Sequence, residues 1–181
     1  MPRINPVELA TADTGVQATL GAVKAKIGMV PNLFATFAQA PAVLNGNLAF
    51  ADALANGVLT AAQREIVALT VAQYNSCHYC LSAHTLLGKG AGLSPDAIRA
   101  ARQGKSEGTI DNAIATLALR IVETRGQVSD ADLSAARLAG LDDIRIVEIV
   151  GNVAHNVLTN FMNNVAQTKI DFPVVDVAIA A

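Results

Sequence analysis

The chain has 181 residues, of which 52% are hydrophobic and 15% charged, and its 13 basic and 15 acidic side chains give a formal net charge of -2. This length is typical of one domain, so we expect a single domain over residues 1–181. The balanced charge, without any basic run, excludes nucleic acid as an expected partner.

The sequence is more apolar than a globular monomer requires, with a mean hydropathy of +0.38. Because surplus apolar surface is usually covered by subunit contacts, we expect a homo-oligomer. No uncharged apolar stretch reaches the roughly 18 residues of a membrane span, and the first residues lack the apolar core of a signal peptide. We therefore expect a cytoplasmic protein without a membrane partner.

Apolar residues recur at helical spacing nearly throughout the chain, and alternating strand-like runs are missing. This pattern predicts an all-α fold. The predicted helices, in chain order, cover residues 14–27, 32–39, 41–55, 60–74, 76–88, 94–103, 109–125, 129–139 and 141–165.

Residues at the expected helix ends support this division. Side chains of the capping type stand where three helices begin, at Thr60, Ser94 and Ser129. Glycines stand where helices are expected to stop, at positions 57, 88, 104, 126 and 140. The last segment, residues 171–181, is too apolar for a free tail, so we expect it to pack on its own or a neighbouring subunit.

The helix predicted at 60–74 carries one acid, Glu65, at the head of the nearly uncharged run 66–72. A lone carboxylate is costly to bury without a partner. If this helix and the next form an antiparallel hairpin about Asn75, Glu65 lies about 15 Å before the turn and faces His84 on the returning helix. A carboxylate beside that imidazole would fix its tautomer and raise its basicity.

The stretch Cys77-His78-Tyr79-Cys80 holds the only two cysteines of the chain, and His84 follows four residues later. Residues three, four and seven apart share a helix face, so both thiols and the imidazole lie along one stripe. A disulfide between the two cysteines would close a loop too small to stabilise the fold. The possible roles of the pair are therefore redox chemistry, metal binding or simple packing. In a reducing compartment the pair would rest as thiols and form a disulfide only transiently.

Two arguments about the attacking sulfur disagree. Asn75 and Ser76 are candidate N-caps, which would put Cys77 in the first helical turn, where the helix dipole favours a thiolate. His84 is one turn from Cys80 and two turns from Cys77, so it takes a proton more readily from Cys80. The residues alone leave the choice open.

Three neighbouring features have structural explanations. His78 is expected at the rim or in solvent, Tyr79 is expected to pack, and His155 is expected to be a satisfied core histidine rather than a residue that closes over the site.

A faint internal echo also occurs. Aligning Glu65 with Glu148 places Asn160 and Asn163 at the positions of the two cysteines, which suggests two related helical halves.

The segment from Glu65 to His84 reads as Glu, eleven residues, Cys-x-x-Cys, three residues, His. It resembles the peroxidase-like branch of the alkyl hydroperoxidase D and carboxymuconolactone decarboxylase superfamily. Further similarity lies in residues 28–34, 93–98 and 156–172. The resemblance implies an all-α fold with the dithiol at the start of a helix, assembled as trimers or hexamers. It also implies a peroxide substrate and a lipoyl group or other thiol as electron donor, and we expect no cofactor or bound metal.

Carried onto this chain, the resemblance implies that Cys80 attacks the peroxide oxygen and becomes a sulfenic acid. Cys77 would protonate the leaving oxygen and then close the disulfide, and Glu65 and His84 would form the relay that activates Cys80. One departure concerns Tyr79. Family members often carry a second histidine at this position, and a tyrosine cannot shuttle a proton at neutral pH.

We therefore expect an antioxidant enzyme, a thiol peroxidase or dithiol-disulfide oxidoreductase, that reduces alkyl hydroperoxides or hydrogen peroxide through Cys77 and Cys80. A non-redox enzyme of the carboxymuconolactone decarboxylase type, using only Glu65 and His84, is the main alternative. A metal-binding module with Glu65 or His78 as fourth ligand is weaker, because structural zinc sites usually draw ligands from two separated clusters. The last alternative is a helical oligomer with a vestigial site.

Overall fold

The computed structural model describes residues 1–179 of the chain. Those residues form nine α-helices and no strand, which confirms the all-α prediction. In chain order the helices are α1 Thr14–Ile27, α2 Asn32–Phe37, α3 Pro41–Ala55, α4 Ala61–Tyr74, α5 His78–Gly90, α6 Pro95–Arg102, α7 Thr109–Thr124, α8 Asp130–Leu138 and α9 Asp143–Ala166. Every predicted helix is present, and its ends lie within two residues of the predicted ones.

The predicted caps at Thr60, Ser94 and Ser129 are confirmed, since each hydroxyl accepts a backbone N–H from the first turn of its helix. The prediction for Gly88 is wrong, because α5 continues past it to Gly90. A side chain at position 88 would press against Leu93, 3.3 Å away, so this glycine provides close packing rather than a helix end.

Helix α4 is the centre of the fold. Its residues 66–72 are all buried, and it packs against α5, α6, α7 and α9. One apolar cluster joins α4 to α1, α2 and α5 through side chains such as Leu20, Phe37 and Leu69. A second cluster joins it to α7, α8 and α9 through side chains such as Val67, Ile114 and Ile149. Each large side chain buried here contributes about 1.5–3 kcal/mol, so α4 is held firmly.

Helices α4 and α5 form the predicted antiparallel hairpin, but its turn differs in detail from the prediction. Asn75 ends α4, Ser76 has a left-handed φ of 51°, and Cys77 is extended and caps α5. The prediction that Asn75 or Ser76 caps α5 is therefore wrong. The left-handed conformation of Ser76 makes this residue part of the turn, so the N-cap of α5 lies one residue later, at Cys77.

The segment after α9 packs on its own subunit, which confirms that alternative for residues 171–179. The backbone N–H of Val175 donates to Ser82 Oγ at 3.0 Å, and the ring of Phe172 packs edge-on against Tyr79 at 5.5 Å. The Gln73 amide donates to the carbonyl of Val177 at 3.0 Å. Residues 180 and 181 of this prediction lie outside the described residues.

The internal echo is not reproduced as two similar helical hairpins. The first copy breaks into α4 and α5, whereas the second lies in the uninterrupted helix α9. Glu148, aligned with Glu65, accepts the backbone N–H groups of Val58 at 2.6 Å and Leu59 at 3.2 Å. It therefore stabilises the connection between α3 and α4. No helix within residues 1–179 is both long and apolar enough to span a membrane.

Candidate redox site

The α4–α5 hairpin brings Glu65 and His84 together. Glu65 Oε2 lies 2.8 Å from His84 Nδ1, and the two side chains are 17% and 21% exposed. The predicted contact between the carboxylate and the imidazole is therefore present. An ionised carboxylate only accepts hydrogen bonds, so when Glu65 is ionised and His84 is neutral, Nδ1 carries the ring proton and Nε2 keeps its lone pair. The pair thus presents a base at Nε2 and a negative charge behind it.

The two cysteines are joined in a disulfide, with their Cα atoms 5.3 Å apart. Cys77 is 0% exposed and Cys80 is 2% exposed, so the structure shows the oxidised pair in a buried state. Reaction with an external thiol therefore depends on local opening of the segments that cover the sulfurs.

Cys77 also has a capping role. Its sulfur accepts the backbone N–H of Cys80 at 3.2 Å, as a serine hydroxyl does at an N-cap. This contact and the helix dipole both favour a negative charge on the Cys77 sulfur.

Asn163 contacts the other sulfur. Its side-chain amide Nδ2 lies 3.3 Å from Cys80 Sγ, and the contact is buried. The sequence reasoning missed this residue as a functional one. Although the internal echo singled out Asn163, it gave no reason to place it opposite Cys80, which lies 83 residues away in the chain.

Tyr79 packs, as predicted. It is buried, and its hydroxyl accepts the backbone N–H of Leu33 at 3.3 Å, at the start of α2. Burial raises the pKa of Tyr79 far above its usual value; the Leu33 hydrogen bond opposes the shift and the Asp171 carboxylate adds to it. His78 is exposed, as predicted.

His155 is largely buried, but the expectation that it is satisfied is wrong. Its Nε2 is buried without a hydrogen-bond partner among the described residues, and its ring packs edge-on against Phe50 at 5.7 Å. Burial lowers the pKa of His155, and the charge of His84 lowers it further. Both effects favour the neutral form of the His155 ring.

The described part of the chain contains no group of three or more His, Cys, Asp or Glu side chains that could hold a metal ion. The metal-binding alternative therefore has no assembled ligand set. Two cavities of about 560 and 540 Å³ lie away from the sulfurs, one between α7 and α8 and the other between α1 and α3.

Residues 41–123 match the model of the carboxymuconolactone decarboxylase family. This range runs from the start of α3 almost to the end of α7 and includes the whole Glu65–His84 hairpin. A search of curated proteins gave no significant match.

Several solved structures share the fold over nearly the whole chain. An uncharacterized peroxidase-related protein from Ralstonia eutropha JMP134, described as an alkylhydroperoxidase AhpD core, is 27% identical, with a TM-score of 0.84 over 94% of this chain and 92% of its own. A peroxidase-related protein from Silicibacter sp. TM1040 is 22% identical, with a TM-score of 0.78 over 92% and 91%. The debrominase Bmp8, in its apo form, is 14% identical, with a TM-score of 0.77 over 93% and 91%. These likenesses confirm the predicted AhpD-like fold.

Proposed function

We propose that this chain is a thiol peroxidase, because residues 41–123 match the model of the carboxymuconolactone decarboxylase family and the chain has the fold of an alkylhydroperoxidase core. It reduces alkyl hydroperoxides or hydrogen peroxide, and a small dithiol of the lipoyl type returns it to the reduced state. The observation that carries the proposal is the Glu65–His84 pair, which is built on the same hairpin as the bonded cysteines Cys77 and Cys80.

The first step forms the reactive sulfur. In the reduced protein His84 Nε2 takes the proton of Cys80, and Glu65 stabilises the resulting imidazolium through Nδ1. The Cys80 thiolate attacks the terminal peroxide oxygen, so that an S–O bond forms and the O–O bond breaks. The leaving alkoxide takes the proton of Cys77 and departs as an alcohol.

The second step closes the disulfide. The Cys77 thiolate attacks Cys80 Sγ, the S–O bond breaks, and the leaving hydroxide takes the proton held by His84 to become water. In sum, two thiols and one hydroperoxide give one disulfide, one alcohol and one water. A dithiol donor then reduces the Cys77–Cys80 disulfide by thiol–disulfide exchange, and the donor itself is oxidised to a disulfide.

The decisive experiment follows peroxide consumption by the reduced protein in the presence of dihydrolipoamide. We expect Cys80→Ser to abolish turnover. Without any thiol donor, we expect pre-reduced Cys77→Ser to consume one equivalent of peroxide and stop at a Cys80 sulfenic acid, which dimedone would trap. Serine is the suitable replacement because it retains the N-cap of α5. His78→Ala is the matched control, since this exposed side chain lies beside both cysteines. Full turnover by Cys80→Ser would contradict the proposal.

The family match also favours a second candidate, a non-redox enzyme that decarboxylates a small lactone acid. In that case Glu65 and His84 move protons on the substrate and the cysteines are incidental. The double variant Cys77→Ser/Cys80→Ser separates the two functions, because it would keep full decarboxylase activity and lose all peroxidase activity.

We also propose that the protein self-associates through α9. Large apolar side chains on this helix are 40 to 70% exposed at positions that alternate three and four residues apart, namely Ile144, Val147, Leu158, Phe161 and Val165. Exposed Ala154 and the half-buried Gly151 complete the series. This heptad spacing fits a second helix of the same spacing, and a second copy of α9 supplies one.

A further inference from the structure

We infer that Asn163 stabilises the Cys80 thiolate and thereby determines which of the two sulfurs attacks. Its importance for turnover rests on the proposed peroxidase function, whereas its effect on thiol acidity does not.

The contact is direct and shielded from water. Asn163 Nδ2 lies 3.3 Å from Cys80 Sγ, and both residues are buried. A disulfide sulfur is a weak acceptor, but a thiolate is a charged and strong one. The same amide therefore binds more strongly once the pair is reduced and Cys80 ionises, and burial increases that difference. A hydrogen bond that favours the charged form lowers the pKa of the group.

The two sulfurs have different donors. The Cys77 sulfur accepts the backbone N–H of Cys80, which is the capping contact of α5, and the Cys80 sulfur accepts the Asn163 amide from α9. Without the amide, the capping contact and the helix dipole would make Cys77 the more acidic thiol. Asn163 offsets that preference on the thiol that is one turn from His84.

The other end of the amide suits the intermediate. Asn163 Oδ1 is buried and has no hydrogen-bond partner among the described residues. After the Cys80 thiolate attacks the peroxide, the new S–OH group has a proton to donate, and Oδ1 is the acceptor on the side chain already touching that sulfur. The amide thus donates a hydrogen bond to the thiolate through Nδ2 and accepts one from the sulfenic acid through Oδ1. The amide itself neither gains nor loses a proton.

The test measures the acidity of Cys80 as the sole thiol, in the Cys77→Ser background. Asn163→Leu removes both polar atoms of the amide and retains a similar shape. Alkylation by iodoacetamide, a small neutral reagent, is followed from pH 5 to pH 10. The apparent pKa of Cys80 should rise by about one to two units, so that the thiolate fraction falls about ten- to a hundredfold at any pH below the wild-type pKa.

Asn156→Leu is the matched control. Asn156 is also a buried asparagine on α9, but its amide donates to the carbonyl of Asn152 within the helix. We expect it to leave the pKa of Cys80 unchanged. Thermal unfolding of each variant guards against a purely structural effect, because Asn163→Leu also removes an unpaired buried oxygen and should leave the fold at least as stable.

The outcomes are distinct. An unchanged pKa of Cys80 in folded Asn163→Leu overturns the inference, even if the wild-type protein consumes peroxide. A raised pKa supports the inference, even if the wild-type protein lacks peroxidase activity and the proposed function fails. With both cysteines present, we also expect Asn163→Leu to transfer the fastest alkylation from Cys80 to Cys77, which mass spectrometry of the peptides would detect.

Discussion

In the proposed relay Glu65 acts on the sulfur only through His84, because its carboxylate contacts the Nδ1 atom of that ring. The helical rise alone predicted this contact. In an antiparallel hairpin, a residue about ten positions before the turn lies level with a residue about ten positions after it, as Glu65 and His84 do about Asn75. The Asn163 contact was beyond such reasoning. It joins α5 to α9, and its existence depends on how the helices cross.

Glu65→Gln tests the charge of this pair and largely keeps its shape. Glutamine can accept the same hydrogen bond, but it cannot stabilise an imidazolium as a carboxylate does. We expect kcat/KM for hydroperoxide to fall about ten- to a hundredfold at pH 7, as for a weakened general base. Steady-state kinetics check this, with the exposed Glu107→Gln as control. An unchanged kcat/KM would show that the carboxylate has no part in the relay.

Tyr79→Phe tests whether this residue packs or shuttles protons. The phenol hydroxyl accepts the backbone N–H of Leu33, which is a structural contact, so we expect peroxidase activity within about twofold of wild type. Loss of the acceptor for the Leu33 N–H should lower the free energy of unfolding by about 1 kcal/mol. Turnover below one-tenth of wild type in a folded variant would contradict the packing role.

The raised pKa of Tyr79 also predicts alkaline instability. Above about pH 10 an unfolded tyrosine releases its proton, whereas buried Tyr79 keeps it. The unfolded state then binds fewer protons, so stability falls as pH rises, by up to about 1.4 kcal/mol per pH unit. The free energy of unfolding, measured with denaturant between pH 9 and 11, should fall less steeply with pH for Tyr79→Phe than for the wild type. Tyr74→Phe, at the other and exposed tyrosine, should leave the slope unchanged.

At the scale of elements, local sequence predicted most helix ends because capping is a local interaction. Thr60, Ser94 and Ser129 each bond to a backbone group three residues on. The predictions of helix ends were wrong where a non-local or unusual interaction determines the end of the helix. The start of α5 depends on the left-handed turn at Ser76 and on a cysteine acting as cap, and Gly88 is required by Leu93 from the following loop.

The connection from α3 to α4 depends on a distant acid. Glu148 on α9 accepts the backbone N–H groups of Val58 and Leu59, and a methyl group at Gly57 would overlap its carboxylate. We expect Glu148→Ala to lower the free energy of unfolding by about 1–3 kcal/mol, because it removes the acceptor of two backbone amides, one of which is partly buried. Chemical denaturation measures this. Glu123→Ala, in an exposed pair with Arg120, should cost less than about 1 kcal/mol.

A double-mutant cycle makes this prediction specific. Gly57→Ala alone should be destabilising because the new methyl group displaces the Glu148 carboxylate. In the Glu148→Ala background the same change should cost much less, since the overlapping group is gone. Additive costs would contradict the proposed contact.

For the whole molecule, composition indicated an apolar surplus but not its location. The folded chain concentrates part of that surplus on α9, where one face packs on α4 and α7 and the other is exposed. Periodicity alone could not separate these faces, because α9 is apolar on both sides. The crossing of α9 over the core decides which face is buried.

The α9 face predicts a self-association that charge should abolish. We expect wild-type protein to sediment as a multiple of its 18.7 kDa chain mass, and Val147→Lys/Phe161→Lys to sediment as the monomer. Both side chains are more than half exposed, so lysine at these positions leaves the core intact and places charges in the seam between helices. Leu138→Lys is the matched control, because this leucine is 90% exposed on α8 and lies outside the seam. A monomeric wild type, or a double variant that keeps the wild-type mass, would show that a second copy does not cover this face.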